Sequence, residues 1–308
     1  MLRQIKHIFA SLSVVAFATA CGGGSSDPDV VQLAQSNSDL SILVEAVDAA
    51  GLSATLKQAG PYTVLAPTNA AFAALLTELG VTKAQLLADK PLLTAVLTYH
   101  VLPATVRKAD IPLGRAVTTV QGGIFKVDTV GTALRITDGR NRTANITATD
   151  LRASNGVVHV IDKVILPANK NIVQTAQSLP DFSILVEAVV AADLQGTLSG
   201  TGPFTVFAPT NAAFAALLAE LGISKEALLA NKALLTKVLT YHVVPSRVLK
   251  ANVPIGTPIT TVQGETFSIS ASLAISDQRG RSANIVATDV LTSNGVIHVL
   301  DKVILPKP

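Results

Sequence analysis

From residue 30 onward the chain changes the period of its apolar residues halfway along each of two copies. The first half of a copy reads as helix. Ser41–Val47 is an apolar-rich segment with Asp39 as its expected N-cap and Gly51 as its expected stop. Tyr62–Ala66 is a short β-rich run closed by Pro67. Thr68 or Asn69 is then placed to cap a helix whose Ala71, Phe72, Leu75 and Leu76 fall at helical spacing. Thr82 and Pro91 open two further short helices, the second ending near Tyr99-His100. The second half reads as strand: residues 117–120, 125–128, 134–137 and 144–149 alternate or nearly alternate, and Val157–Ile161 is apolar at almost every position. A run of that kind predicts a strand covered on both faces. Helices first and strands second within one unit predict an α+β fold, not alternating β-α-β units.

The pattern is then repeated. PYTVLAPTNAAFAALL (Pro61–Leu76) and PFTVFAPTNAAFAALL (Pro203–Leu218) share fourteen of sixteen positions at an offset of 142. SNGVVHVIDKVILP (Ser154–Pro167) returns as SNGVIHVLDKVILP (Ser293–Pro306) at an offset of 139. The three residues lost lie between two alternating runs, where Asp128–Ala133 becomes Ser270–Ser272, which points to a hairpin loop. Units of this size are domains, not solenoid repeats. The expected boundaries are 30–167 and 172–306, joined by a short linker over 168–171 that restricts the mutual orientation of the two domains.

What precedes the first unit has the grammar of an export signal. Arg3 and Lys6 are followed by the apolar Ile8–Ala20, thirteen residues and too short to cross a bilayer. Ala18-Thr19-Ala20 then leads into Cys21, the one cysteine in the chain. A lone thiol at the first position after such a signal is where bacterial lipoproteins are acylated. Residues 1–20 are therefore read as a signal peptide, Cys21 as a lipidated residue, and the Gly/Ser-rich 21–29 as a tether. By the same resemblance Gly22-Gly23, with no aspartate after the cysteine, favours the outer membrane. Without Arg3 and Lys6, the 24 basic and 21 acidic residues become 22 against 21. A near-neutral body without a Lys/Arg run excludes an electrostatic footprint for nucleic acid. Aromatic residues are only 4% and tryptophan is absent, which argues against stacking platforms for bases or sugars.

The repeated blocks TVLAPTNAAF and TVFAPTNAAF, then TYHV, then NGVVHVIDKVILP and NGVIHVLDKVILP, resemble the fasciclin-like domain in both copies, from Val30 to Pro306. The resemblance implies two wedges, each a β-sandwich packed with a layer of short helices, and an extracellular role in attachment to matrix, cells or surfaces. It also implies a possible adhesion motif: in animal members a tyrosine-histidine pair is implicated in integrin recognition, and Tyr99-His100 and Tyr241-His242 match it. The other block residues have a physical reading as fold determinants. Thr68 or Asn69, and likewise Thr210 or Asn211, supplies the side-chain oxygen that a helix start lacks. Phe72 and Phe214 anchor that helix, and Asn155-Gly156 turns the chain into the last buried strand.

The histidines outside the signal form one related pair per copy, His100 with His159 and His242 with His298. Two ligands with neither a cysteine nor a third histidine make a poor zinc site. Neutral rings bonded to backbone are the expectation, with His159 and His298 as structural residues. No nucleophile elbow and no distinctive carboxylate pair marks a catalytic centre, so no catalytic residue, metal or cofactor is expected. The expected partner is a protein or polysaccharide of a matrix or cell surface, with the membrane reached through the lipid. A second reading is an envelope protein that is structural or carries a small apolar ligand. An adhesin predicts an exposed apolar or aromatic patch at the same place on both domains. A carrier predicts an apolar cavity of several hundred cubic ångströms.

Overall fold

The computed structural model describes residues 27–308. Cys21, the signal and most of the tether lie outside the described residues. In the first domain the order is α1 (Val30–Gln35), α2 (Ser41–Ala49), α3 (Ser53–Leu56), β1 (Tyr62–Pro67), α4 (Asn69–Leu79), α5 (Lys83–Ala88) and α6 (Lys90–Tyr99), followed by β2 (Val101–Leu102), β3 (Ala116–Thr118), β4 (Ile124–Val130), β5 (Ala133–Thr137), β6 (Thr143–Ala153) and β7 (Gly156–Ile161). Local chemistry sets the helix ends. Thr68 caps α4, its hydroxyl accepting from Ala71 N at 3.2 Å, and Gly80 ends that helix at φ +66°. Thr82 and Gln85 form a reciprocal capping box on α5, and Asp89 caps α6.

Asp39 does not act as the expected cap of α2. It lies inside a 3-10 turn, Ser38–Leu40, whose own cap is Asn37. The open start of α2 is served from a distance instead: the Asn69 carbonyl oxygen accepts from Ile42 N at 2.9 Å while its amide donates to Ser38 O. Asn69 thus caps a neighbouring helix, and Thr68 caps its own.

The strands form one seven-stranded sheet in the order β2-β1-β7-β6-β5-β4-β3. β1 and β7 pair in parallel over six residues, Tyr62 opposite Gly156 through Pro67 opposite Ile161; the other neighbours are antiparallel. The two central strands are covered on both faces. Val64, Ala66, Val158 and Val160 join a core shared with the helices, including Leu43, Val47, Phe72, Leu93 and Leu97. Leu65 and Ile161 join a second core with Tyr99 from the end of α6 and with Phe125, Val127 and Ile136 from the small strands. The length difference between the copies falls in the β4–β5 hairpin and its counterpart.

The second domain repeats the plan: α7 (Ile172–Gln177), α8 (Ser183–Ala191), α9 (Gln195–Leu198), β8 (Phe204–Pro209), α10 (Asn211–Leu221), α11 (Lys225–Ala230), α12 (Lys232–Tyr241), β9 (Val243–Val244), β10 (Ile259–Thr260), β11 (Thr266–Ile269), β12 (Ala274–Ser276), β13 (Ser282–Thr292) and β14 (Gly295–Leu300). Its sheet order, β10-β11-β12-β13-β14-β8-β9, is the same topology.

The two domains are joined by more than the linker. Ile124 of the first packs in one apolar cluster with Leu249, Leu291 and Val296 of the second. The Asn141 side chain completes the edge of β13, donating to Leu291 O at 3.0 Å and accepting from Leu291 N at 2.7 Å. Lys126 Nζ sits 2.9 Å from Asp289 Oδ2 and 3.1 Å from Asp128 Oδ2. Burial alone would depress the Lys126 ammonium, but its bonds to Asp289 and Asp128 and their charges outweigh that and raise its pKa. The clamp is therefore fully made below the ordinary lysine value of about 10.4 and is lost only as the pH rises through the raised one. Asp289 has a side chain only 3% exposed, so removing its cation leaves a buried charge unpaired. Lys126→Ala is expected to weaken the second domain and its docking by about 3 kcal/mol. A calorimetric scan should show the second domain melting earlier, with the double variant Lys126→Ala/Asp289→Asn recovering part of the loss.

Candidate functional site

The Tyr-His pairs sit at the C-terminal ends of α6 and α12, and all four rings are buried. Tyr99 OH donates to Ile124 O at 2.5 Å and accepts from Gly139 N at 2.8 Å. Its ring meets Phe125 edge-on, centroids 6.2 Å apart. Tyr241 OH donates to Thr266 O, and its ring meets Phe267 in the same way. Burial, with the nearby charge of Asp138 for Tyr99 and Asp277 for Tyr241, raises both phenols far above their ordinary value. His100 donates from Nδ1 to Val96 O at 2.7 Å and accepts at Nε2 from Ile165 N at 3.2 Å. His242 repeats both bonds with Val238 O and Ile304 N. In this conformation the pair offers no side-chain surface to a partner; it ties the helix layer to the segment that follows the last strand.

His159 and His298 are buried too. Each accepts at Nδ1 from an aspartate N–H, Asp150 at 3.2 Å and Asp289 at 3.3 Å, and donates from Nε2 to Val106 O or Val248 O at 2.8 Å. All four histidines thus spend both ring nitrogens on backbone groups. Among the described residues no group of three or more His, Cys, Asp or Glu side chains is placed to hold a metal. Phe72 and Phe214 lie in the helix-side cores, and Thr210 and Asn211 repeat the two capping roles of Thr68 and Asn69.

Sequence reasoning passed over Asp138. Its buried carboxylate accepts from the N–H groups of Arg140, Arg142 and Leu166 and pairs with the Arg142 guanidinium at 2.9 Å. Asp277 accepts from the matching Arg279, Arg281 and Leu305 N–H groups. The signal was present as an Asp-x-Arg-x-Arg spacing in both copies, Asp138-x-Arg140-x-Arg142 and Asp277-x-Arg279-x-Arg281.

Three kinds of surface remain. Matched apolar clefts, lined by Val31, Val47 and Leu97 in one domain and Val173, Val189 and Leu239 in the other, hold only about 30 Å³ each. Exposed apolar side chains recur at equivalent positions: Leu79 with Leu221, Leu113 with Ile255, and Val120 (48% exposed) with Val262 (44%). A polar cavity of about 440 Å³ opens in the first domain beside Arg107, Asp150 and Arg152.

Burial lowers the pKa of His100 and His242 to about 4. Both rings are neutral when folded and take up a proton near pH 6.5 once unfolded, so the unfolded chain binds more protons between those values. Stability should therefore fall as the pH drops from 6.5 to about 4, by about 3 kcal/mol for each ring. Urea unfolding across that range should show the loss, and His100→Gln or His242→Gln should flatten the slope of its own domain. Slopes unchanged by both variants would refute the assignment.

The Fasciclin domain family model matches the chain twice, over residues 38–167 and 180–306. Human periostin is 28% identical over 261 residues, an alignment covering 83% of this chain and 29% of periostin. Protein sll1483 of Synechocystis sp. is 45% identical over 150 residues, covering 48% of this chain and 79% of that protein. A solved FAS1 domain pair from the insect cell adhesion molecule fasciclin I aligns with a TM-score of 0.44 at 18% identity, covering 86% of this chain and 92% of that one. The chain spans less than a third of periostin's length. With both halves matched by the same family, this chain belongs to the Fasciclin domain family as a tandem of two such domains.

Proposed function

We propose that this chain is a lipid-anchored, extracytoplasmic adhesion protein that presents two rigidly paired fasciclin domains to a matrix or cell-surface protein or polysaccharide. It works by binding and not by turnover. The observation that carries the reading is the recurrence of exposed apolar side chains at matched positions, Leu79/Leu221, Leu113/Ile255 and Val120/Val262. Keeping such residues in water in both copies is what a repeated contact surface requires. The carrier reading draws no comparable support, because clefts of about 30 Å³ fall far short of the several hundred a ligand needs.

Cys21 and the apolar segment before it support anchoring in the cell envelope, with export to the outer membrane as the destination. Cys21→Ser is expected to move the protein from the membrane fraction to the soluble fraction; retention at the original level would remove the anchor from this reading. For the contact surface, Val120→Asp/Val262→Asp should lower attachment to immobilised matrix proteins, polysaccharides or whole cells by about tenfold, roughly 1.4 kcal/mol. Both side chains are exposed, so the melting temperature should hold. Unchanged attachment to every surface that the parent protein binds would move the contact elsewhere.

A further inference from the structure

The face by which the second domain receives the first consists of Asp289, Leu249, Leu291 and Val296. The same positions in the first domain are Asp150, Arg107, Arg152 and Val157, and all four line the 440 Å³ cavity. Asp150 repeats the setting of Asp289 closely. Both residues have positive φ, 61° and 60°, within register shifts of the long strand. Both accept from a 3-10 turn, Lys108 N at 2.9 Å and Lys250 N at 2.7 Å, and both N–H groups are held by the buried histidine of the neighbouring strand. In the second domain the remaining oxygen takes a primary ammonium, that of Lys126. Among the described residues Asp150 has no such cation.

The changes between the copies are equally directed. Two buried leucines, Leu249 and Leu291, are replaced by the exposed Arg107 and Arg152, neither of which forms an ion pair among the described residues. Thr105 stands where the half-buried Arg247 occupies the second domain, which leaves the hollow open. Guanidinium forks suit phosphate oxygens. The carboxylates of Asp27 and Asp150 in the same lining disfavour a bare anion, so the site calls for a ligand carrying both charges. A quaternary ammonium does not suit it, since it has no proton to donate to Asp150 and the lining has no aromatic face.

Position adds the last constraint. Asp27 lines the cavity, and six residues back along the chain is Cys21. Six residues reach at most about 21 Å, so an acylated Cys21 would hold the cavity close to the bilayer surface. We propose that this cavity binds the phosphoethanolamine headgroup of a membrane lipid, with the phosphate between Arg107 and Arg152 and the ammonium on Asp150. The lipid source rests on the anchored reading above; the headgroup chemistry does not.

The test uses the full chain. Calorimetric titration with O-phosphoethanolamine should show saturable binding, about tenfold tighter than phosphocholine or inorganic phosphate. Arg107→Ala/Arg152→Ala should lose about tenfold or more, and Asp150→Asn should abolish the preference over phosphocholine while keeping weak phosphate binding. In flotation, vesicles of phosphatidylcholine mixed with phosphatidylethanolamine should retain more protein than phosphatidylcholine alone, and both variants should lose that difference; the apolar leader contributes equally to all of these samples. No saturable binding, equal binding by the variants, or phosphate binding as tightly as O-phosphoethanolamine would overturn the site. Binding of the soluble compound without any vesicle preference would overturn the lipid source. Release of Cys21→Ser is scored separately: if it stays on membranes while the headgroup still binds, the anchored reading fails and the site stands.

Discussion

Everything else in each domain is arranged around one parallel pair of strands. β1 and β7, like β8 and β14, run side by side in parallel register over six residues, with apolar side chains on both faces. A pair buried on both sides needs two covers, and the rest of the domain supplies them: helices on one face, small strands on the other. The chain between the two strands, together with α1–α3 before them, is therefore the covering material, and parallel pairing requires just such a long crossover. The close approach is demanding. A Cβ on Gly156 would run into the Tyr62 carbonyl oxygen, and the Asn155 carbonyl accepts from Tyr62 N at 3.0 Å. The Asn155 amide also bonds Leu56 O and Gln58 O, tying the turn to the end of α3. The two most repetitive blocks in the sequence are thus the two sides of one structural element.

That explains why the fold was so legible. β1 with its capped helix and β7 with its turn carry their geometry in local chemistry: proline, Thr68, Asn155-Gly156 and unbroken apolar runs. Helix starts near Thr82 and Pro91 were equally readable, and the capping side chains found there, Thr82 and Asp89, lie within three residues of the N–H groups they serve. Asp39 misled because an acceptor near a helix start looks like a cap from sequence alone, whereas the oxygen that serves Ile42 arrives from Asn69, 27 residues away. β2 escaped notice because two residues carry no period; only its pairing with Thr63 and Val64 defines it.

The site was less legible for the same reason. A tyrosine-histidine pair beside leucine and valine looks alike whether it ends a helix at the surface or within the core. What buries it arrives 25 and 40 residues farther on, where Ile124 O at the start of β4 and Gly139 N just past β5 meet the phenol. The Asp138 and Asp277 hubs and the domain interface likewise depend on groups brought together from distant segments. Charge composition said the chain is nearly neutral, and that average concealed a cluster of two arginines and two aspartates around one cavity.

Comparing the copies turns duplication into an argument about assembly. The join between the domains is heterologous: a surface bearing Ile124, Lys126 and Asn141 meets a different surface bearing Leu249, Asp289 and Leu291. Were both surfaces preserved in both copies, each chain would end with one free face of each kind, and chains would add head to tail without limit. Neither free face has kept its complement. The second domain has Thr266, Ser268 and Gly280 where the first has Ile124, Lys126 and Asn141, and the first has Arg107 and Arg152 where the second has Leu249 and Leu291. This particular contact is therefore not repeated on the outer faces of the two domains. Asp150, with no lysine opposite it among the described residues, holds the same φ of 61° and the matching bond to Lys108 N. A carboxylate held in that geometry beside two guanidiniums is a receiving face suited to a smaller, doubly charged group.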